Sequence, residues 1–362
     1  MGHEIKVNLK DNSYKIVVGD KIISQAGQYA RLLQLGEDAV IVTNRYIHKT
    51  HGRSLVSGLK KTSFTVKVFE VADSEKSKSA AVAFDLLSKI ASYDVNKKIF
   101  VVAFGGGVIG DLAGFVAAVY KRGVPYIQVP TTFLAQIDSA IGGKTAIDLA
   151  VGKNLVGAFY QPKLVLSDMG VLATLSLRQI RNGLAEAIKY GVIADKNLFA
   201  YIFRNYKKLL ALDPKALWDV VLRSSQIKAR VVSLDEKETK KLRMILNFGH
   251  TVGHAIETAG GYKLYHHGEA IALGMRVAAD IAHQMGLFSQ NNCLLLETLL
   301  SNIGLPERIK GVSLARILQV MVHDKKFKAG KNRFVLPVQI GKVKIVEGVA
   351  ADVIQAAIRR RL

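Results

Sequence analysis

The chain has 362 residues, of which 49% are hydrophobic, with 51 basic and 29 acidic side chains and a single cysteine. This apolar content is ample for a large core, and the length predicts two domains. One cysteine, Cys293, excludes an intramolecular disulfide, and the first residues show no signal-peptide hydrophobic region, so we expect a cytoplasmic protein.

The net charge of +22 would suit a nucleic acid or another anionic partner. The basic residues are spread along the chain, however, and only residues 359–361 form a tight basic run. We therefore expect no nucleic-acid partner, although nucleic-acid binding is the alternative from a different functional class. A positive field would also favour a phosphate-bearing substrate. The longest apolar run, residues 99–120, contains three consecutive glycines and Asp111, so we expect no membrane span.

Short β-branched runs alternate with helical patterns in the first half of the chain. The predicted strands cover residues 40–43, 64–71, 99–104, 126–129 and 164–167, and the predicted helices cover 77–92 and 108–120. Such alternation predicts a parallel sheet with crossover helices. Long helical patterns follow, at residues 184–192, 216–234 and 268–285. We therefore predict an α/β, Rossmann-like N-terminal domain (residues 1–174) and a mainly α-helical C-terminal domain (175–362).

A glycine-rich segment follows the predicted strand that ends at Phe104. Gly105, Gly107 and Gly110 satisfy the G-x-G-x-x-G pattern. Glycines allow close backbone approach, and the N-terminus of the next helix offers free N–H groups to a pyrophosphate. The next strand runs into Pro130 without the usual acidic residue. The pattern favours dinucleotide binding outside a standard Rossmann domain, and a packing turn is the alternative.

Two lysines lie in glycine-flanked turns. Residues 138–145 (DSAIGGKT) end like a P-loop, but Asp138 stands where that motif needs glycine, so a nucleoside triphosphatase is not indicated. Lys144 and Lys153 would still suit contact with phosphate or carboxylate groups. Solvated loop lysines are the alternative interpretation.

Four of the nine histidines fall within eighteen residues, at positions 250, 254, 266 and 267. His250 and His254 are four residues apart, which places both on one face of a helix, and imidazole is a common zinc ligand. The H-E-x-x-H motif of metalloproteases is absent, because Thr251 follows His250. The cluster predicts a three-ligand metal site that acts on substrate oxygens, with packing or surface histidines as the alternative.

Six segments together resemble the 3-dehydroquinate synthases, a family of sugar-phosphate cyclases, over nearly the whole chain and in the right order. They are residues 105–115 (GGGVIGDLAGF), 128–145 (QVPTTFLAQIDSAIGGKT), 152–162 (GKNLVGAFYQP), 184–191 (LAEAIKYG), 246–257 (LNFGHTVGHAIE) and 267–275 (HGEAIALGM). The resemblance implies an enzyme of aromatic biosynthesis that converts 3-deoxy-D-arabino-heptulosonate 7-phosphate to 3-dehydroquinate and phosphate. It implies one divalent metal, zinc or cobalt, and NAD that is regenerated in each turnover, so that the net reaction is that of a lyase.

The resemblance also assigns individual residues. The implied metal ligands are Glu186, His250 and His267. His254 becomes an active-site residue beside the leaving phosphate, which revises the pairing of His250 with His254 that the spacing favours. The implied catalytic residues are Asp138, Lys144, Lys189, Lys228, Glu238, Arg243, Asn247 and His254. The implied substrate contacts also include Arg122, Asn154 and Lys325, with Arg122 reaching the neighbouring subunit of a homodimer.

The implied NAD contacts fall in several short segments. They are Asp73, Ser74, Glu75, Lys76, Ser77, Lys78, Gly107, Val108, Ile109, Gly110, Asp111, Thr131, Thr132, Lys144, Lys153, Val171, Leu172, Ala173 and Thr174.

The sequence departs from the family pattern at three places. Residues 235–242 (DEKETKKL) are one residue longer than is common, which affects the assignment of the family's glutamate to Glu238. Residues 72–78 (ADSEKSK) replace the more usual turn. Asn44 stands where aspartate often contacts the adenosine ribose. Two alternatives lie close to this prediction: another sugar-phosphate cyclase, which makes an inosose or valiolone skeleton, and a metal-dependent polyol dehydrogenase.

Overall fold

The computed structural model describes residues 2–323 and 332–362, which form two compact units. The first unit contains Met1–Leu175 and Lys228–Lys237, and the second contains Ser176–Ile227 and Glu238–Leu362. Residues 228–237 continue a helix of the second unit and return the chain briefly to the first.

The first unit is built on a seven-stranded sheet in the order β1-β2-β9-β6-β5-β3-β4. All neighbours pair in parallel except β1 and β2, which are antiparallel. A second, two-stranded sheet is the antiparallel hairpin of β7 and β8. The strands are β1 (His3–Val7), β2 (Tyr14–Gly19), β3 (Asp38–Asn44), β4 (Thr65–Val71), β5 (Ile99–Gly105), β6 (Tyr126–Pro130), β7 (Lys144–Leu149), β8 (Gly152–Phe159) and β9 (Leu164–Asp168).

The central strands are continuous apolar runs because both faces of the sheet are covered. Every residue of β3, β5, β6 and β9 is buried, as expected for a parallel sheet between helical layers. The helices of this unit are α1 (Ala26–Leu32), α2 (Arg45–Ile47), α3 (Arg53–Lys60), α4 (Ala80–Tyr93) and α5 (Gly107–Val119). One core cluster joins Val40 and Val101 of the sheet to Leu86 of α4 and Leu112 of α5. The predicted parallel α/β arrangement is confirmed.

The order of the strands creates a topological switch point between β3 and β5. The chain leaves β3 for the edge strand β4, and then returns to form β5 on the other side of β3. The loops that leave these two neighbouring strands therefore turn in opposite directions and open a crevice at their carboxyl ends. In open α/β sheets, ligands bind in that crevice. The glycine-rich segment begins at Gly105, the last residue of β5, and so lies at this crevice.

The second unit is mainly helical, as the sequence predicted. Its helices are α6 (Leu177–Ala194), α7 (Lys196–Leu210), α8 (Pro214–Leu234, whose last residues belong to the first unit), α9 (His250–Ala259), α10 (His267–Gln284), α11 (Gln290–Ile303), α12 (Leu314–His323) and α13 (Ala351–Arg359). A hairpin of β10 (Arg333–Gln339) and β11 (Lys342–Glu347), which the helical pattern did not predict, completes it. None of the helices in the described residues is long and apolar enough to cross a bilayer.

Glycines allow α9 and α10 to lie unusually close together. Gly249 precedes α9 with a φ of 78°, which a residue with a side chain rarely adopts. A Cβ atom on Gly253 would lie 2.8 Å from the Cδ1 atom of Ile271, and one on Gly274 would overlap the carbonyl of Gly249. The close approach therefore requires glycine at these positions.

Substitution of Gly274 by alanine tests this requirement. Because the added methyl group meets rigid backbone, we expect Gly274→Ala to lower the free energy of unfolding by about 2–3 kcal/mol. Gly261→Ala is the control, since it has a positive φ but nothing within 4 Å, and it should cost only about 1 kcal/mol. Urea unfolding followed by circular dichroism measures both, and equal losses would contradict the packing argument.

Candidate active site

Three possible metal ligands come together in the second unit. His250 and His267 are the first residues of α9 and α10, and Glu186 lies within α6. One ligand atom of each lies within 4.8 Å of the others. Glu186 and His250 are buried, and His267 is partly buried. These are the three residues that the resemblance implies as ligands. Apart from that resemblance, nothing in the sequence pointed to Glu186.

The start of α10 is held against α6, which places His267. The backbone N–H of His266 donates a hydrogen bond to the carboxylate of Glu269 at 2.8 Å, closing a capping box. Arg178 of α6 binds the same carboxylate through two hydrogen bonds, of 2.7 and 2.8 Å. Such a bidentate pair fixes both direction and distance.

Both histidines direct Nε2 to the same carboxylate oxygen. Nε2 of His250 is 3.5 Å from Oε1 of Glu186, and Nε2 of His267 is 3.4 Å from it. Two ligands of a tetrahedral zinc ion, each about 2.1 Å from the metal, would be about 3.4 Å apart. The spacing and the donor types therefore fit a divalent cation with two histidine ligands and one carboxylate.

The electrostatics of the cluster also favour a cation. Burial, together with the charges of Lys189, His254 and His267, holds the pKa of His250 well below 6.5. Burial also lowers the pKa of His267, but its contacts with Glu186 and Glu257 outweigh this effect and raise the pKa to about 10. Glu186 and Glu257 thus stabilise a positive charge at His267. A metal ion bound beside this histidine can supply that charge in place of a proton on the imidazole ring.

Lys189 completes the surroundings of Glu186. It follows one turn later in α6, is buried, and forms an ion pair with Oε2 of Glu186. Oε1 is the oxygen that faces the two histidines. The lysine therefore orients the carboxylate so that one oxygen remains directed at the candidate metal position.

His254 belongs to a different group of possible ligands. That group contains His254, Glu257 and His267, and neither group in the described part of the chain includes both His250 and His254. The rings of His250 and His254 are 5.1 Å apart and nearly perpendicular. This arrangement agrees with the revised role of His254 as a neighbour of the metal position, and that role stays a prediction.

Most of the implied NAD contacts of the first unit lie at one edge of the sheet, whereas Lys144 and Lys153 lie in the β7–β8 hairpin. Because the carboxyl ends of parallel strands meet at the same edge, segments far apart in sequence gather there. Residues 73–78 follow β4, residues 107–111 follow β5, Thr131 and Thr132 follow β6, and residues 171–174 follow β9. Helix α5 begins at Gly107, so its N-terminus lies directly after the glycine-rich turn.

Gly110, in the first turn of α5, packs closely against β6. A Cβ atom on Gly110 would lie 2.9 Å from the side-chain oxygen of Gln128 in β6. The backbone N–H of Thr131 donates to the carbonyl of Gly105 at 2.9 Å, which ties the ends of β5 and β6 together. The glycine-rich segment is therefore closely packed against β6, and its contact with NAD stays a prediction.

Lys78 joins three of the segments implied in NAD and substrate binding. Its Nζ atom lies 2.7 Å from Asp111 and 2.5 Å from the side-chain oxygen of Asn154. Burial lowers the pKa of Lys78, but the charges of Asp111, Glu75 and Asp148 outweigh it and raise the pKa. Lys78 is therefore a buried cation that links the loop after β4, the start of α5 and the β7–β8 hairpin.

The loop after β4 has two further polar connections. Asn44 donates to Asp73 at 2.8 Å and accepts from the backbone N–H of Ile47 at 2.8 Å. Lys153 of the β7–β8 hairpin pairs with Glu75 at 3.2 Å. Asn44, which replaces the expected aspartate, thus caps the helix that follows it, α2. The acidic side chain beside it is that of Asp73.

The remaining implied residues fall in both units. In the first unit, Lys228 is buried and forms an ion pair with Asp138, while Lys144, at the start of β7, and Arg122 are exposed. In the second, Arg243 is buried and lies 3.4 Å from Glu238, and the assignment of the family glutamate to Glu238 stays a prediction. Asn247 is the last residue of a short 3₁₀ helix that precedes α9. Lys325 lies outside the described residues.

Comparisons with known proteins identify the family of the chain. Family models described as 3-dehydroquinate synthase N-terminal and 3-dehydroquinate synthase C-terminal match residues 68–182 and 183–327. The chain belongs to the 3-dehydroquinate synthase family. A family member from Desulforamulus reducens, named 3-dehydroquinate synthase, is 44% identical over 97% of this chain and 98% of its own.

Two solved structures of other cyclases also resemble this member of the 3-dehydroquinate synthase family. One is 2-deoxy-scyllo-inosose synthase complexed with carbaglucose-6-phosphate, NAD+ and Co2+, with a TM-score of 0.91, 27% identity and coverage of 99% and 100% of the two chains. The other is 2-epi-5-epi-valiolone synthase from Streptomyces hygroscopicus with NAD+ and Zn2+ bound, with a TM-score of 0.88, 27% identity and 97% coverage of both chains.

Sequence reasoning missed one residue of the cluster. Glu257 lies 3.3 Å from Nδ1 of His267, yet the sequence analysis gave it no role. A signal was present, since Glu257 follows His250 by seven residues and therefore shares its helix face.

Loss of metal separates the two assignments of the histidines. If Glu186, His250 and His267 are the ligands, His250→Ala and His267→Ala should purify without metal, whereas His254→Ala should retain about one equivalent and lose activity. Elemental analysis of the three proteins decides this. Retention of metal by His267→Ala, with loss from the other two, would favour the pairing that the i, i+4 spacing suggests.

Proposed function

We propose that this chain is a 3-dehydroquinate synthase, which converts 3-deoxy-D-arabino-heptulosonate 7-phosphate to 3-dehydroquinate and phosphate with the help of NAD and one zinc or cobalt ion. The observation that carries the proposal is the set of Glu186, His250 and His267, of which the first two are buried and whose spacing fits one divalent cation. Membership of the family and the clustered strand ends of the first unit support it. The single cysteine favours a cytoplasmic location.

The identities of the relatives favour this reaction over that of another cyclase. The curated 3-dehydroquinate synthase from Desulforamulus reducens is 44% identical to the chain, whereas the inosose and valiolone synthases are each 27% identical. A polyol dehydrogenase would use NAD as a consumed substrate, which gives the simplest way to tell it apart.

The two cofactors would supply chemistry that side chains lack. A divalent cation held by Glu186, His250 and His267 provides Lewis acidity toward substrate hydroxyl groups, and NAD provides a hydride acceptor that is restored in each turnover. The protein's own residues would bind the anionic substrate, orient it and exclude water.

Basic side chains in both units match the charge of the substrate. A phosphate monoester that also carries a carboxylate needs several cations, and Lys144, Lys189, Lys228, Arg243, Arg122 and Lys325 are the candidates. Two of them, Lys228 and Lys189, are already paired with the carboxylates of Asp138 and Glu186. Each carboxylate holds its ammonium group in place, so less side-chain conformational entropy is lost when the substrate binds.

His254 is the candidate for proton transfer near the leaving phosphate. Its ring lies 5.1 Å from that of His250 and 5.9 Å from that of His267, measured between centroids. A neutral imidazole there could donate a hydrogen bond to a phosphate oxygen or accept a proton from it. The side chain is partly exposed, so it can meet a bound substrate.

A homodimer is part of the proposal. Arg122 is exposed in a tight turn with a φ of 65°, and the β7–β8 hairpin exposes Leu149, Val151 and Phe159, of which Val151 is 86% exposed. An apolar patch of this kind is typical of a surface that binds another protein. A second copy is the partner that would bring Arg122 to a neighbouring phosphate site.

The fate of NAD tests the proposed reaction. With the heptulosonate phosphate, phosphate should accumulate over many turnovers while the absorbance of NADH stays flat, and both NAD removal and a chelator should stop phosphate release. Stoichiometric appearance of NADH would identify a dehydrogenase instead. Turnover of glucose 6-phosphate, whose carba-analogue is bound in the inosose synthase structure, would favour another cyclase.

Arg122 tests the dimer. If it contacts the partner's substrate phosphate, Arg122→Ala should lose about 1.5–3 kcal/mol of binding, which is roughly ten- to a hundredfold in kcat/KM, with metal content unchanged. Arg53→Ala, another exposed arginine of the first unit, should have little effect.

A mixed dimer makes the test specific. One protomer carries Arg122→Ala and its partner carries the inactive Lys189→Ala, so one of the two sites has both wild-type residues. Differently tagged protomers, isolated as the heterodimer, should recover about half of the wild-type activity. No recovery would mean that Arg122 serves its own subunit or no site.

A further inference from the structure

Glu257 is a buried carboxylate directly beside a candidate ligand. It lies on α9, two turns after His250, and only 9% of its surface is exposed. Its Oε2 atom is 3.3 Å from Nδ1 of His267. We propose that Glu257 is a positioning residue of the metal site, which holds His267 as an Nε2 ligand and strengthens its bond to the cation. The inference rests on the metal site of the proposed function.

The two nitrogens of the imidazole ring have different roles at a metal site. A neutral ring carries its proton on one nitrogen and offers a lone pair on the other, so the group beside one nitrogen decides what the second can bind. A carboxylate at Nδ1 accepts the N–H there and leaves Nε2 free to act as a ligand. Nε2 of His267 is the nitrogen that faces Glu186, at 3.4 Å. The contact therefore selects the tautomer and the ring orientation that the metal site needs.

The two histidines are not held in the same way. Nδ1 of His250 lies 3.0 Å from the carbonyl oxygen of Phe248, which is neutral, whereas Nδ1 of His267 faces a carboxylate. A charged acceptor draws the Nδ1 proton more strongly and makes the opposite nitrogen a better electron donor. His267 should therefore be the stronger of the two nitrogen ligands, and Glu257 is the reason.

The competing assignment makes Glu257 a ligand itself. His254, Glu257 and His267 also place one possible ligand atom each within 4.8 Å of one another. The nitrogen of His267 that faces Glu257 is Nδ1, so Nδ1 would be its ligand atom in this group. The structure favours the first group because Glu186 is completely buried and its Oε1 atom faces the Nε2 atoms of both His250 and His267, at 3.5 and 3.4 Å. The two assignments predict different effects of substitution at Glu257.

Metal affinity, measured without substrate, separates them. Full-length Glu257→Gln keeps a hydrogen-bond acceptor but loses the charge, and it should bind Zn2+ and Co2+ about 10- to 100-fold more weakly than wild type, in competition with a chromophoric chelator. At saturation it should still bind about one equivalent of Co2+, with the absorption spectrum of a site that keeps its three ligands. Glu257→Ala should weaken binding further. The exposed-surface control Glu347→Gln should leave the affinity unchanged.

Two results would overturn the proposal. One is an affinity of Glu257→Gln within about twofold of wild type, which would show that the contact does not tune the site. The other is loss of saturable binding by both Glu257→Gln and His254→Ala, which would make Glu257 a ligand. Thermal unfolding of the metal-free proteins shows whether each variant is folded. Because no substrate is used, failure of wild type to release phosphate would count against the proposed reaction and leave this result intact.

Discussion

The arrangement of the second unit depends on the carboxylate of Glu186, which is completely buried. A buried charge is costly unless it is paired, and the penalty is several kcal/mol even after the protein relaxes. Lys189 pairs with one oxygen, while the other faces the Nε2 atoms of two histidines. A divalent cation between these groups would be bound by Oε1 of Glu186 and the two Nε2 atoms, so the buried carboxylate would serve both the packing of this unit and its chemistry.

Backbone packing allows these side chains to meet. The positive φ of Gly249 and the small size of Gly274 bring the first turn of α9 against α10, and the ion pair of Arg178 with Glu269 ties α10 to α6. The first unit uses a different principle. Its parallel strands end at one edge, so the segments that follow β4, β5, β6 and β9 gather there. Buried Lys78 then links the loops that leave this edge.

Most of the fold could be predicted from hydrophobic pattern alone. The buried strands, such as β3 and β5, are largely apolar runs with β-branched residues, and the long apolar run of α10 is buried along most of its length. The β7–β8 hairpin was not predicted, because β8 lies largely at the surface and β7 is buried only in its middle, so neither strand shows the alternation of a half-buried strand. The β10–β11 hairpin was hidden within a region of long helices.

The site was predictable only in part. Histidine spacing indicated a metal site but favoured His250 with His254, since the spacing within one helix cannot reveal which residues another helix brings near. Glu186 lies far from the histidines in sequence and was reached only through the family resemblance. Glu257 was missed, because a carboxylate that binds a ligand's second nitrogen leaves no motif. Pairings such as Lys78 with Asp111 depend on tertiary contacts in the same way.

The most direct test of this account is anomalous diffraction from crystals of the cobalt-loaded protein, recorded at the cobalt absorption edge. The account predicts one strong peak bonded to Oε1 of Glu186 and to the Nε2 atoms of His250 and His267, with Glu257 on Nδ1 of His267. A peak bonded instead to His254, Glu257 and Nδ1 of His267 would contradict it.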